Sequence, residues 1–319
     1  MKKHLATGVF LIVSLTAAVE AESPLLAFQP AENGYYAFDT GVLRGKMRLD
    51  GQFQGIASMV YVPTGMELLK PPGVMSYYRV LTTGFRYGTH GPTGAVRDWP
   101  VVARLLGGGA LEIRFPPAAD HPMELTGTFR WRSADALDVE TSIKTPAALP
   151  RLEIFLSSYF VEGFDALVYV ARNRYGAGKP AAMLRADWSE MLDGNYLMFP
   201  RDEDALRMIY DGRWDIPPNP VTWAFLRWLA APIAVRRHAE AGLTAVFMSP
   251  PADCFAMSLP YNKQPADGVA GHRAIYLSLF GRDLAAGQTA KAHCRLIVAK
   301  DLSDEAILQR YQQYLREQP

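Results

Sequence analysis

The segment from Arg86 to Trp99 gathers Arg86, His90, Arg97, Asp98 and Trp99, with Gly88, Gly91 and Gly94 between them. A glycine-rich loop that carries a base, an acid and an aromatic ring suits a sugar: the ring stacks on a pyranose face and the charged groups bind hydroxyls. The same residues also fit a plainer arrangement, an Arg97–Asp98 surface pair with Trp99 anchoring the loop. Two further segments place a histidine before a strand, Asp120-His121-Pro122 and Gly271-His272-Arg273. An imidazole titrates near neutrality and can serve as acid or base, or simply bond to backbone in its loop. His238, in the run Arg236-Arg237-His238, reads as solvated.

Glu153 is, with Asp98, one of two candidate carboxylates. In the stretch Arg151 to Phe160, period-two alternation puts Leu152, Ile154, Leu156, Ser158 and Phe160 on one face and Glu153, Phe155, Ser157 and Tyr159 on the other. The first face is a core face. The second mixes an acid, a hydroxyl and two aromatic rings, which makes a poor core and a plausible sugar platform. Glu153 can couple with Asp98 or a histidine in acid–base catalysis, or form a structural ion pair with an arginine. The candidate catalytic residues are therefore Asp98, Glu153, His121 and His272. The candidate substrate-binding residues are Arg86, His90, Trp99, Ser157 and Tyr159.

The elements that must position these residues are strands. The chain has 26 Gly and 23 Pro in 319 residues, and short alternating runs lie between these turn formers. Gly45 to Leu49 and Gly55 to Val62 flank an Asp50-Gly51 turn. Leu105-Leu106 and Leu111 to Phe115 flank Gly107-Gly108-Gly109. Met123 to Trp131, Ala136 to Lys144 and Arg151 to Phe160 read as three more strands. Ile233 to His238 with Leu243 to Ser249, and Ala274 to Phe280 with Thr289 to Ala299, read as two late hairpins. Only Ser303 to Arg316 reads as a helix, N-capped by Ser303. The long aromatic stretch from Asp211 to Trp223 reads as an ordered loop, in which Trp214 lines a cleft or packs. No βαβ alternation, internal repeat or low-complexity linker interrupts the pattern. The expected fold is all-β, a large antiparallel β-sandwich with a C-terminal helix, as a single domain over residues 22–319.

The order of these motifs resembles the galactose-mutarotase-like β-supersandwich, a group containing aldose epimerases and domains of polysaccharide lyases and glycoside hydrolases. Tyr78-Arg79 and Gly84-Phe85-Arg86-Tyr87-Gly88 resemble the family's Asn-Arg-Ile-x-x-Gly segment, whose arginine contacts sugar. Leu156-Ser157-Ser158-Tyr159-Phe160 resembles Asn-His-Ser-Tyr-Phe, and Leu284-Ala285-Ala286-Gly287-Gln288 resembles the Leu-x-Pro-Gly-Glu turn before the last strand. The resemblance implies a supersandwich whose concave face binds carbohydrate, with Arg86, Glu153, Ser157, Tyr159, Asp98, His121 and His272 on that face. Two departures bear on activity. The family's catalytic histidine falls on Ser157, and a hydroxyl cannot act as the general acid near neutral pH. The family's catalytic glutamate, in a late Cys-Leu-Glu-Thr segment, falls on Ala256. Three functions stay open: a glycoside hydrolase, lyase or epimerase-like enzyme using carboxylate or histidine chemistry, a non-catalytic glycan-binding module, and an envelope structural or assembly protein.

The ends and the charge bound the partners. Lys2, Lys3 and His4 precede an apolar run from Leu5 to Val19, and Val19-Glu20-Ala21 offers a cleavage site, so residues 1–21 read as a signal peptide and the location as periplasmic or secreted. The run is shorter than the roughly 20 residues a spanning helix needs. Removing it takes the formal charge from +1, less two lysines and plus one glutamate, to 0. A neutral chain has no electrostatic case for nucleic acid or an anionic membrane surface. The expected partner is carbohydrate; the sequence does not specify an oligomeric state. Cys254 and Cys294 can pair in an oxidising compartment or stay free and buried; neither has ligand spacing for zinc. No phosphate-binding glycine motif, Gly-x-Ser-x-Gly elbow, His-Glu-x-x-His or EF-hand loop occurs, so no cofactor and no metal are expected.

Overall fold

A computed structural model describes residues 26–48, 55–171, 180–186, 196–260 and 273–318. The expected leader and His272 lie outside the described residues. In chain order the strands are β1 (Gln29–Pro30), β2 (Tyr35–Asp39), β3 (Leu43–Arg48), β4 (Ile56–Tyr61), β5 (Met66–Glu67), β6 (Ser76–Thr82), β7 (Phe85–Arg86), β8 (Val102–Leu105), β9 (Leu111–Phe115), β10 (Glu124–Ser133) and β11 (Ala136–Lys144). They continue with β12 (Leu149–Tyr159), β13 (Phe164–Val170), β14 (Ala182–Arg185), β15 (Tyr196–Pro200), β16 (Trp223–Phe225), β17 (Leu229–His238), β18 (Leu243–Met248), β19 (Cys254–Pro260), β20 (Ala274–Leu284) and β21 (Thr289–Lys300). Two α-helices accompany them, α1 (Glu203–Ile209) and α2 (Asp304–Glu317).

Apolar alternation on these strands builds two large sheets. One runs β14-β13-β17-β18-β21-β11-β10-β9-β8 and the other β16-β15-β19-β20-β12-β6-β7; β1 to β5 form a third sheet in sequence order. Neighbouring strands are antiparallel, except for the parallel pair of β15 and β16. Ile154 and Leu156 of β12, Phe160 just beyond it, and Leu277 and Leu279 of β20 share one buried cluster with Leu125, Phe129, Val139, Leu296 and Val298 of the nine-stranded sheet. Residues two apart on a strand point the same way, so one face of each large sheet is committed to this core. The fold is thus an all-β sandwich with a C-terminal helix, as the alternation predicts. One polar pair bridges the core: the Tyr77 hydroxyl of β6 meets the Thr141 hydroxyl of β11 at 2.8 Å across the sandwich, each satisfying the other in burial.

The helices cover edges and outer faces. Ser303 Oγ accepts the Ala306 N–H and caps α2, which lays Ile307, Tyr311 and Tyr314 on Ile233, Val235, Val246 and Met248 of the nine-stranded sheet. The sequence reading missed α1. It is barely two turns long, capped by Asp202 accepting from Ala205 N–H, and too short for helical periodicity to emerge.

The topology corrects one expectation and decides between the two states left open for the cysteines. The last pair of strands is not a hairpin: β20 belongs to the seven-stranded sheet and β21 to the nine-stranded one. The turn at 285–288 reverses the chain, but both strands have an apolar face, and burying those faces against each other sends them to opposite layers. For the same reason Cys254 on β19 and Cys294 on β21 lie in different layers, and both thiols are free and buried. Burial pushes the Cys254 thiol up to about 12, which removes thiolate reactivity at neutral pH.

One ionic cluster ties the two layers at their rim. His293 Nδ1 meets Asp253 Oδ2 at 2.8 Å and His293 Nε2 meets Glu140 Oε2 at 3.4 Å, while Lys291 contacts Glu140 at 2.8 Å. The Asp253 bond, then the Glu140 bond, raise His293 from 6.5 to about 9. The His293 bond is the main cause that lowers Glu140 from 4.5 to about 2. A raised histidine stabilises the fold fully below its unfolded pKa and loses that contribution as pH rises through the folded value. A lowered carboxylate stabilises above its unfolded pKa and loses the contribution as pH falls through the folded value. Thermal stability should therefore decline between pH 6.5 and about 9, and the decline should be smaller in His293→Gln. Parallel melting profiles of the two proteins over that range would contradict this assignment.

Candidate functional site

The second face of the seven-stranded sheet carries the mixed side chains of β12, and it is covered. Phe155 and Tyr159 of β12 join Leu81, Met198, Ala256, Ala274 and Tyr276 in a cluster closed over by Met208 and Ile209 of α1 and by Trp214 and Trp223. The long segment 211–223 folds back onto the sheet: the Trp214 ring stands edge-on to Phe155 at 4.7 Å and to Trp223 at 5.0 Å. Packing, the second of the two fates the sequence left open for Trp214, is the one realised.

Glu153 lies beneath this segment with 0% of its surface exposed. Its Oε2 meets Arg213 Nη1 at 3.2 Å, and its Oε1 accepts the Ser278 hydroxyl at 2.7 Å. Arg213, also fully buried, makes a second, forked pair with Asp211. Burial raises the Glu153 carboxyl, and Arg213 opposes the rise. With both oxygens engaged and no solvent access, Glu153 fills the structural ion-pair role rather than the acid–base one.

The arginines of β6 and β7 hold the covering segment by its backbone. Arg79 Nη2 donates to the Asn219 carbonyl, and Arg86 donates to the carbonyls of Ile216, Pro218 and Gly94. Burial, with Arg79 nearby, lowers Arg86 to about 10. The sequence assigned Arg86 to sugar hydroxyls; its donors instead serve the chain's own carbonyls, because segment 211–223 occupies the space above β7.

The loop from Arg86 to Trp99 is closed by its own side chains and packed against its neighbours. Asp98 Oδ2 accepts from the N–H and hydroxyl of Thr93 and from the Ala95 N–H, closing the loop into a one-turn 3-10 helix at Val96–Asp98. Trp99 is not a surface platform: it is 4% exposed and stacks on His121 at 3.7 Å, interplanar angle 9°. The ring fills the place a Cβ would need at Gly88, whose φ is +61. His121 is buried with its Nδ1 on Asp120 Oδ1 at 2.6 Å, and the exposed His90 reaches Asp120 Oδ2 at 3.3 Å. Trp99 belongs to the inter-sheet core with Val96 and Phe115. The expected grouping of Asp98, His121, His90 and Trp99 with Glu153 is thus not formed by any hydrogen bond or ring contact among the described residues.

What the structure does bring together is a box of tyrosines. Tyr159 and Tyr276 rings lie 6.1 Å apart, Tyr276 and Tyr196 6.2 Å, and Tyr196 and Trp223 5.4 Å. Tyr78 completes the group from β6. Tyr78 and Tyr196 are only half-buried, whereas Tyr159 and Tyr276 are buried. Burial raises the phenols of Tyr159 and Tyr276 and pushes Tyr196 up to about 12. They are neutral hydrogen-bonding groups at physiological pH. Arg79 and Arg97 each approach the Tyr78 ring, with guanidinium carbons 4.9 and 4.8 Å from its centroid. Ser157 sits in the floor, its hydroxyl 3.4 Å from the Ser76 carbonyl.

No family model matches the sequence, and no curated protein matches it. Solved structures do. A protein of Synechocystis sp. PCC 6803 superposes with a TM-score of 0.51 at 12% identity, covering 89% of this chain and 100% of that one. A galactose mutarotase-like protein of Clostridium acetobutylicum superposes with a TM-score of 0.51 at 10% identity, covering 88% and 100%. The chain has the galactose mutarotase-like fold. Ser157 and Ala256 are both buried, Ala256 in one cluster with Phe155 and Tyr276. Among the described residues no group of three or more His, Cys, Asp or Glu could hold a metal, and no helix is long and apolar enough to cross a membrane.

Sequence reasoning missed Arg213, Tyr196 and Tyr276 as neighbours of β12. Arg213 carried no signal beyond its place in an aromatic loop. Tyr276 lies on a strand predicted from Ala274 to Phe280, and its pairing opposite Ser157 follows only from the β12–β20 register.

Proposed function

We propose that the protein is exported and binds glycans at the tyrosine box on the second face of the seven-stranded sheet, without turning them over. The observation that carries the reading is the state of the two carboxylates expected to do acid–base work: Glu153 is sealed under Arg213 and Ser278, and Asp98 accepts from Thr93 and Ala95 within its own loop. Aromatic rings with neutral hydroxyls and an adjacent guanidinium supply stacking and hydrogen bonds, which is what binding a sugar requires. The basic start and apolar run of residues 1–21 support export. The fold shared with a galactose mutarotase-like protein is consistent with a carbohydrate ligand, although fold by itself does not fix function.

The test is a thermal-shift and calorimetric screen of neutral and charged oligosaccharides, with product analysis after long incubation. Saturable binding with no new sugar species is expected, and Tyr196→Ala should weaken it by about tenfold or more, the loss of one stacked ring and its hydroxyl. Turnover of any oligosaccharide would overturn the non-catalytic reading, and its loss in Glu153→Gln would show that Glu153 does acid–base work after all. Absence of any shift across the screen would remove the carbohydrate reading and favour a structural role in the envelope.

A further inference from the structure

Among the described residues the positive charge around the tyrosine box has no carboxylate paired to it. Arg79 is fully buried, yet its Nε and Nη1 have no hydrogen-bond partner, and its bonds run only to the Tyr78 hydroxyl and the Asn219 carbonyl. Arg86 is nearly as buried, and its bonds go to carbonyls. Arg97 lies over the Tyr78 ring, with its Nε also unpartnered. None of the three makes an ion pair with a described carboxylate. Glu153, on the same sheet face, is already neutralised by Arg213, and Asp98 directs its carboxylate to Thr93 and Ala95. Buried guanidiniums left without a counter-charge are costly, and an incoming anion relieves that cost.

We infer that the box takes an acidic glycan, one whose sugar carries a carboxylate, with Arg97 reading the charge and Tyr78 and Tyr196 holding the ring. The inference rests on the glycan-binding reading and narrows it. Arg97 is the reader because it is half-buried at the rim, stacked on Tyr78 and close enough to Tyr159 to act on its phenol. A guanidinium presents a planar donor fork that matches a carboxylate. Arg79, deeper and committed in part to Asn219, supplies a fixed positive field behind it.

The experiment compares a galacturonate trimer, the neutral galactose trimer of the same linkage and a sulfated galactose trimer, on the full chain and on Arg97→Gln, by calorimetry. The galacturonate trimer should bind at least about tenfold more tightly than the neutral trimer, and Arg97→Gln should abolish that preference by costing the charged ligand about tenfold more affinity than it costs the neutral one. Raising the salt from about 0.05 M to about 0.5 M should weaken only the charged ligand, a readout that needs no variant. Equal binding of neutral and acidic trimers, or equal loss of both in Arg97→Gln, overturns the acidic preference and leaves the glycan reading standing. Equal binding of the sulfated and carboxylated trimers overturns the carboxylate assignment. Failure of all three to bind removes the glycan reading and this inference with it.

Discussion

Arg213→Met should destabilise the protein by about 3–5 kcal/mol, the cost of leaving a buried carboxylate without its partner. Arg213 and Glu153 are both wholly inaccessible and 3.2 Å apart. The methionine keeps much of the aliphatic volume, so the loss is electrostatic rather than a cavity. Glu153 would then escape its charge by protonating, since burial already pushes its carboxyl up and Arg213 is the chief opposing influence. The double variant Glu153→Leu, Arg213→Met should recover a large part of the loss, because two apolar groups cost less here than one orphaned charge. Chemical denaturation with all three variants measures this. A single-variant loss under about 1 kcal/mol, or a double variant no more stable than the single one, would contradict the ion-pair assignment.

Trp214→Ala should cost about 3–5 kcal/mol by removing a large buried ring, and it should also unseat the covering segment. The indole touches Phe155 and Trp223 and receives the Arg79 guanidinium at 4.6 Å from its centroid. Without it, the segment is held by the Arg213–Glu153 pair and by backbone carbonyls that accept from Arg79 and Arg86. Hydrogen exchange of residues 211–223 should accelerate far more than that of β10 and β11, which lie in the opposite sheet. Uniform acceleration over both sheets would mean that the tryptophan serves global stability alone.

The sandwich was legible because period-two alternation is a local property. The strand Ala136–Lys144 was read to its exact bounds, and the strands at Leu111, Thr289 and Leu243 to within a residue or two. Pairing across layers was not legible: nothing local distinguishes the turn at 285–288 from a hairpin turn. The face carrying Glu153, Phe155, Ser157 and Tyr159 was legible for the same periodic reason. Its covering was not, since a proline-rich loop sixty residues downstream gives no sign of where it will fold back. The loop from Arg86 to Trp99 shows the complementary difficulty. Asp98, Trp99 and His121 have residue types that suit chemistry, but each satisfies a structural need, closing a turn or filling the space over Gly88.

A crystal structure with a bound galacturonate oligomer tests the central claim most directly. The sugar should lie against Tyr78, Tyr196 and Arg97, unaltered in covalent structure, with segment 211–223 in place and Arg213 still paired to Glu153. A sugar lying beside a released Glu153, in the space that Trp214 and Arg213 now fill, would contradict it.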